Sequence, residues 1–139
     1  EVIKMYIAVA SQKNIKLNMH VDKDLTINAD QDMIKTIVRN LTSNAIKFTP
    51  EGGEVQLIAK KDNSIAVIKV KDTGVGIKED DIKKLFKVKE NYTTRGTNEE
   101  QGTGLGLIIC YDFAKLHGGY IQINSKPGQG SEFEVVIPL

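Results

Sequence analysis

Apolar and polar residues alternate along some stretches of this chain and recur every three to four positions along others. Strict alternation predicts half-buried strands, and the longer spacing predicts amphipathic helices. We predict strands at 15–21, 25–29, 54–60, 64–72, 120–125 and 131–137. We predict helices at 1–13, from Asp30 to Pro50, at 78–86 and from the glycines after residue 101 to His117, with a polar loop at 87–102. This order, with two hairpins, predicts an α+β fold in which helices cover one face of a sheet.

Composition narrows the class of protein only slightly. The 139 residues suit one globular domain, and a net charge of +1 gives no electrostatic reason to expect nucleic acid or an anionic membrane as a partner. No apolar run approaches the ~18 residues of a membrane span. Cys110 stands alone and can form no internal disulfide, which suits a reducing cytoplasm. Because the chain begins at Glu1 without Met, we expect it to be part of a longer protein.

Three polar residues share one side of the predicted helix after Asp30. At about 100° per residue, Asn40, Asn44 and Lys47 fall within roughly a 60° arc that borders the apolar face. A solvated stripe on a surface helix is the simpler explanation of such an arc. Asparagine is nevertheless a poor helix former, and two within one helix favour the wall of a cleft.

An aspartate ends the strand predicted at 64–72. Alternation places Asp72 on the same face as the apolar side chains, where a carboxylate without a donor is costly. Taken alone, the sequence Asp-Thr-Gly more often starts a turn. Gly74 and Gly76 would also let the backbone approach a flat ligand closely.

Three glycines precede the helix that ends near His117. Gly102, Gly104 and Gly106 suit a phosphate held by backbone N–H groups at a helix N-terminus. A dinucleotide-binding fingerprint follows a strand, but the segment before Gly102 is polar and the third glycine of that fingerprint is missing. A P-loop requires a Gly-Lys pair, which this sequence lacks. The glycines alone therefore indicate little.

Four motifs taken in order are more specific. They are "NLTSNAIKFT" at 40–49, "DTGVGI" at 72–77, "LF" at 85–86 and "GTGLGL" at 102–107. Together they resemble the N, G1, F and G2 boxes of the GHKL ATPase superfamily, and within it the catalytic ATP-binding domain of sensor histidine kinases. The resemblance covers nearly the whole chain. It implies the Bergerat fold, a two-layer α/β sandwich with a mixed, mostly antiparallel sheet, helices on one face and a mobile ATP lid at 87–102.

The resemblance implies roles at the base end of ATP. Asp72 would accept a hydrogen bond from the adenine amino group, which favours adenine over guanine. Phe48 would line the edge of the nucleotide. The residues that would border the base or pack beside it are Gly74, Gly76 and Ile77.

The resemblance also implies roles at the phosphate end. Asn44 would coordinate Mg²⁺, and Asn40 and Lys47 would contact the phosphates as the other two catalytic residues. Arg95 in the lid would reach the terminal phosphate. The nucleotide-binding segment at the helix start, with the Thr103 hydroxyl as a further donor, would comprise Gly102, Thr103, Gly104, Leu105, Gly106 and Leu107.

One substitution separates two activities of the superfamily. Relatives that hydrolyse ATP carry a Glu four residues before the Mg²⁺-binding Asn, and this chain has Asn40 there. An amide cannot take a proton from water, so phosphoryl transfer is favoured. Neither His20 nor His117 is placed as an acceptor. We therefore expect the acceptor histidine on a separate upstream helical domain, with residues 1–13 as the tail of the connection and 14–139 as the ATP-binding domain.

The resemblance defines the expected partners. They are ATP or ADP, the upstream dimerisation and phosphotransfer domain and, indirectly, a response regulator receiver domain, with no nucleic acid. We expect a homodimeric full-length protein and a cytoplasmic location for this domain, whether or not the parent is anchored in a membrane. The alternatives are a degenerate nucleotide-sensing module and, less favoured, an ATPase of the gyrase, HSP90 or MutL kind.

Overall fold

The computed structural model describes residues 2–78 and 106–139. Within them the strands are β1 (Lys16–Val21), β2 (Glu54–Asp62), β3 (Ile65–Asp72), β4 (Tyr120–Ser125) and β5 (Ser131–Pro138). The helices are α1 (Val2–Gln12), α2 (Gln31–Phe48) and α3 (Gly106–Leu116). The predicted loop at 87–102, and the predicted helix at 78–86 from residue 79 onward, lie outside the described residues.

The five strands form one mixed sheet in the order β1-β2-β3-β5-β4. β1 runs parallel to β2, and every other neighbouring pair is antiparallel. The register places Val55, Asp72 and Ser131 side by side across the three central strands. The predicted mixed, mostly antiparallel sheet is confirmed, and its register brings the end of β3 against the start of β5.

The helices pack on one face of this sheet. Alternate residues of the strands point into a common core with the helices, and each buried Val, Leu or Ile stabilises the domain by roughly 1.5–3 kcal/mol. The strand residues of the core include Val55, Leu57, Ile68, Val70, Phe133, Val135 and Ile137, and the helix residues include Tyr6, Ala10, Ile37, Leu41, Ala45, Leu107, Cys110 and Ala114. The opposite face carries an ion pair of 3.3 Å between Lys69 and Glu132. The predicted two-layer α+β sandwich is therefore confirmed.

The predicted strand at 25–29 is wrong. Leu25, Ile27 and Ala29 are half-buried and their neighbours are exposed, so the alternation is real. The segment nevertheless leaves the sheet edge after β1 and crosses to the helix layer, where Ile27 packs against the core and Asp30 caps α2. Alternation reports one-sided burial of an extended chain, and here that burial comes without pairing to another strand.

Candidate functional site

The first wall of the site is α2. Its N-terminus is capped by Asp30, whose carboxylate accepts the Met33 N–H at 2.9 Å. The buried face of this helix against the sheet leaves Asn40, Asn44 and Lys47 half-buried along its edge. The predicted position of these three residues beside the apolar face is confirmed. Their contacts with nucleotide stay a prediction.

The side chain of Asn40, on α2, lies next to the start of α3. Its Nδ2 donates to the Thr36 carbonyl oxygen at 3.0 Å, which orients the carboxamide. A Cβ added at Gly106 would lie 2.9 Å from Asn40 Oδ1, so a larger residue there would require this amide to shift. Because the first N–H groups of a helix lack intrahelical partners and carry its positive end, the structure sets an amide beside an anion-favouring terminus.

Asn44 and Lys47 continue this wall. The Asn44 carboxamide makes no hydrogen bond to another residue within 2–78 and 106–139. Lys47 Nζ lies 5.0 Å from the centroid of the Phe48 ring, which is close enough for a cation–π contact. The end of α2 therefore offers an amide oxygen and an ammonium group about one helical turn apart.

The Asn44 carboxamide has the oxygen ligand that a magnesium ion bound together with phosphates would need. Mg²⁺ takes oxygen ligands and is commonly held by one or two protein groups together with phosphates and water. The residues that the structure describes contain no group of three or more His, Cys, Asp or Glu side chains able to form a metal cage. One amide oxygen suits an ion whose other ligands come from phosphates and solvent.

Asp72 forms the second wall, at the end of β3. It is only 5% exposed, and its Oδ1 accepts the Gly74 N–H at 2.8 Å and the Ser131 N–H at 3.2 Å. Burial raises the pKa of this carboxyl, and the two backbone N–H groups oppose that rise. Oδ2 has no hydrogen-bond partner in the described part of the chain, and it is not among the fully enclosed unpaired atoms. The described residues thus hold one carboxylate oxygen through two N–H groups and give the other no donor.

The loop after Asp72 is held against α2 and the β4–β5 turn. The Val75 N–H donates to the Phe48 carbonyl oxygen at 3.2 Å, and a Cβ added at Gly74 would overlap that oxygen. Gly76 has a φ of +75°, and a Cβ there would overlap the Lys126 carbonyl oxygen. Both glycines are therefore required by close backbone contacts.

The remaining predicted residues divide into two groups. The side chains of Ile77 and Leu107 pack in or against the core, so contact between Leu107 and a ligand would involve its backbone. Five predicted residues lie outside the described residues, namely Arg95, Gly102, Thr103, Gly104 and Leu105.

The two histidines lie on a strand and at the end of a helix. His20 is exposed on β1. His117 Nε2 accepts the Asp30 N–H at 3.0 Å, and its Nδ1–H donates to the Phe113 carbonyl oxygen at 2.8 Å. His117 therefore joins the end of α3 to the cap of α2.

Sequence reasoning missed three residues that hold the site. Ser131 pairs with Asp72 across β3 and β5, and Ser125 pairs with Ser131 across β4 and β5. The hydroxyl oxygens of the two serines are 2.7 Å apart. Lys13, only 7% exposed, donates to the Ile46 carbonyl oxygen at 3.0 Å and the Lys47 carbonyl oxygen at 3.1 Å. The register of β3 against β5 places Ser131 opposite Asp72, and no local pattern in the sequence marks this pairing or Lys13.

Proteins of one known family match most of this chain. Residues 29–139 match the sequence profile of the family described as "Histidine kinase-, DNA gyrase B-, and HSP90-like ATPase". The chain belongs to this ATPase family. The adaptive-response sensory kinase SasA of Crocosphaera subtropica is 34% identical in an alignment of 141 positions that covers 100% of this chain and 36% of SasA.

Solved members of the family share the fold. The catalytic domain of the histidine kinase ThkA superposes with a TM-score of 0.85 at 30% identity, covering 99% of this chain and 87% of that one. ThkA in complex with the response regulator protein TrrA gives 0.78 at 26% identity, with 99% and 38% coverage. Full-length ShkA in complex with AMPPNP gives 0.82 at 32% identity, with 99% and 28% coverage.

These relatives confirm the type of domain that the motifs predicted. The chain is a catalytic ATPase domain of the histidine-kinase type, and it spans about a third of the length of SasA. Within residues 2–78 and 106–139, no helix of this chain is both long and apolar enough to span a membrane.

Proposed function

We propose that this domain binds Mg²⁺-ATP and transfers the γ-phosphoryl group to a histidine on a separate domain of a two-component sensor kinase. The observation that carries the proposal is the arrangement around Asp72. Two backbone N–H groups hold Oδ1, and Oδ2 is left to accept from the adenine amino group. Guanine presents an acceptor at the matching position, so the same carboxylate would reject it.

The phosphate end follows from α2 and the start of α3. Asn44 would hold the magnesium ion carried by the phosphates, which neutralises their charge when bound. Asn40 and Lys47 would contact the phosphates, and Gly106 would admit them to the N-terminus of α3. Gly102, Thr103, Gly104 and Leu105 would extend this contact with backbone N–H groups. The complex of full-length ShkA with AMPPNP supports nucleotide binding by a domain of this fold. Arg95 would reach the terminal phosphate.

Transfer is favoured over hydrolysis because of Asn40. An amide cannot take a proton from attacking water, so this position supplies no general base. The imidazole nitrogen of the acceptor histidine attacks the γ-phosphorus, the bond from the γ-phosphorus to the β,γ-bridging oxygen breaks, and ADP leaves. The domain contributes orientation and charge neutralisation to this step.

The acceptor and the other partners lie outside this domain. His117 is engaged with backbone groups and His20 stands on an exposed strand, so neither serves as acceptor. We propose an upstream dimerisation and phosphotransfer domain reached through residues 1–13, which enter the ATP-binding domain of 14–139 along α1. A response regulator receives the phosphoryl group in turn, as the ThkA–TrrA complex supports. The parent protein is a homodimer with this domain in the cytoplasm.

Calorimetric titration tests the proposal. ATP with Mg²⁺ should bind to the wild-type domain, GTP should bind at least tenfold more weakly, and chelation of Mg²⁺ should weaken ATP binding. Equal affinity for ATP and GTP would contradict the role of Asp72. Binding that is indifferent to Mg²⁺ would contradict the role of Asn44 and point to a degenerate nucleotide sensor.

A further inference from the structure

The loop that follows Asp72 is joined to the β4–β5 hairpin by one side-chain hydroxyl. Ser125, the last residue of β4, accepts the Ile77 N–H through its Oγ at 2.8 Å. The same oxygen lies 3.0 Å from the Gly130 carbonyl oxygen and 2.7 Å from Ser131 Oγ. Three segments of the chain therefore meet at one half-buried atom.

A serine hydroxyl has one proton to donate and two lone pairs to accept with. If it donates to the Gly130 carbonyl oxygen, it accepts from the Ile77 N–H and the Ser131 hydroxyl, and its capacity is fully used. Replacement of Ser125 by alanine would leave the Ile77 N–H without its partner, and an unpaired backbone donor away from water is costly.

A second contact reinforces the same junction. The Gly128 N–H donates to the Val75 carbonyl oxygen at 2.7 Å, while the Val75 N–H is bonded to the end of α2. The loop is thus held from both sides, by the helix and by the hairpin. Ser125 is the side chain that fastens its far end.

The junction also bears on the carboxylate. Ser131, whose hydroxyl is bonded to Ser125, donates its backbone N–H to Asp72 Oδ1. Loosening of Ser125 would therefore affect both the loop that borders the base and the residue that orients Asp72.

We propose that Ser125 is a positioning residue for adenine binding, acting through the Ile77 N–H and through Ser131 on the orientation of Asp72. This inference rests on the proposed role of Asp72 in adenine recognition. It assigns Ser125 no contact with the nucleotide. Loss of its hydroxyl should weaken the base end of the site and leave the phosphate end as it was.

The test compares Ser125→Ala, Ser125→Thr and Asp72→Asn with the wild-type domain by calorimetric titration of Mg²⁺-AMPPNP and Mg²⁺-ADP. Ser64→Ala, at an exposed serine of the β2–β3 turn, is the matched control. Ser125→Ala should weaken both nucleotides by the same factor, about three- to tenfold, as expected for the loss of a neutral hydrogen bond. Ser125→Thr keeps the hydroxyl and should bind within about twofold of the wild-type domain.

The outcomes separate two failures. Wild-type affinity in Ser125→Ala, together with a loss in Asp72→Asn, would overturn the role of Ser125 and leave that of Asp72 intact. Wild-type affinity in Asp72→Asn would overturn the adenine assignment, and the inference would fall with it. Hydrogen exchange of the wild-type domain adds a test that needs no variant, because an Ile77 amide that exchanges as fast as an unstructured peptide would also overturn the proposal.

Discussion

Asp72→Asn separates recognition from stability in this domain. The substitution keeps the side-chain shape, and the amide oxygen can still accept the Gly74 and Ser131 N–H groups. It changes Oδ2, the atom left open to the ligand, into an NH₂ group. A donor would then face the adenine amino group, which is itself a donor.

The expected loss of ATP affinity follows from the bond that disappears. Hydrogen bonds to charged groups contribute about 1.5–3 kcal/mol, which corresponds to a roughly ten- to 150-fold rise in the dissociation constant. The ratio of ATP affinity to GTP affinity should fall toward one, because the new NH₂ group matches the acceptor of guanine. Calorimetric titration of both nucleotides measures this directly, and Asp62→Asn, at an exposed carboxylate at the end of β2, is the matched control.

Asp72→Asn should raise the free energy of unfolding although it lowers the affinity for ATP. Burial raises the pKa of Asp72 above its usual value of 3.8, so the folded state holds this proton more tightly than the unfolded state. The contribution of Asp72 to stability therefore falls as the pH rises from about 4 through the raised pKa. Asparagine has no charge to bury, and Asp72→Asn should gain stability relative to the wild-type domain between pH 4 and pH 7 in urea unfolding. Unchanged ATP affinity, or a parallel loss of ATP affinity and stability, would contradict the role of Asp72 in adenine recognition.

Three further predictions concern the residues that hold the site. Lys13→Met should lower the free energy of unfolding by about 1–3 kcal/mol in urea, because two hydrogen bonds from its ammonium group to the end of α2 are lost; wild-type stability would contradict this. Gly76→Ala should destabilise the domain more than Gly128→Ala, since both glycines have positive φ but only the first would clash, with the Lys126 carbonyl; equal losses would show that the contact is relaxed. Burial raises the pKa of Cys110 to about 12, so its thiol should resist alkylation at pH 8 until the domain unfolds, and rapid labelling of the folded domain would disprove its burial.

The elements that local patterns determine were predictable. The period of α2 located Asn40, Asn44 and Lys47, and the alternation of β3 placed Asp72 inward, because burial on one face repeats at a fixed spacing in each element. The same logic failed at 25–29, where one side of an extended segment is buried without a neighbouring strand.

The supports of the site were not predictable from local patterns. Ser125 and Ser131 act only because two hairpins place their ends together, which requires the register of β3 against β5. Lys13 reaches carbonyl groups more than thirty residues away, at the end of another helix. Contacts of this kind depend on how the elements pack against each other. The residues next to Lys13 in sequence therefore do not predict them.

A labelling assay tests directly whether the domain transfers the γ-phosphoryl group of ATP to a histidine on a separate domain. The domain is incubated with Mg²⁺ and ATP labelled at the γ-position, alone and together with the separately produced upstream domain of its parent protein. We expect no label on the isolated domain. We expect acid-labile, base-stable label on a histidine of the upstream domain, lost in Asn44→Ala and kept in the control Asn124→Ala at an exposed position of β4. Acid-stable label on the isolated domain, or steady release of inorganic phosphate without label on a histidine, would contradict it.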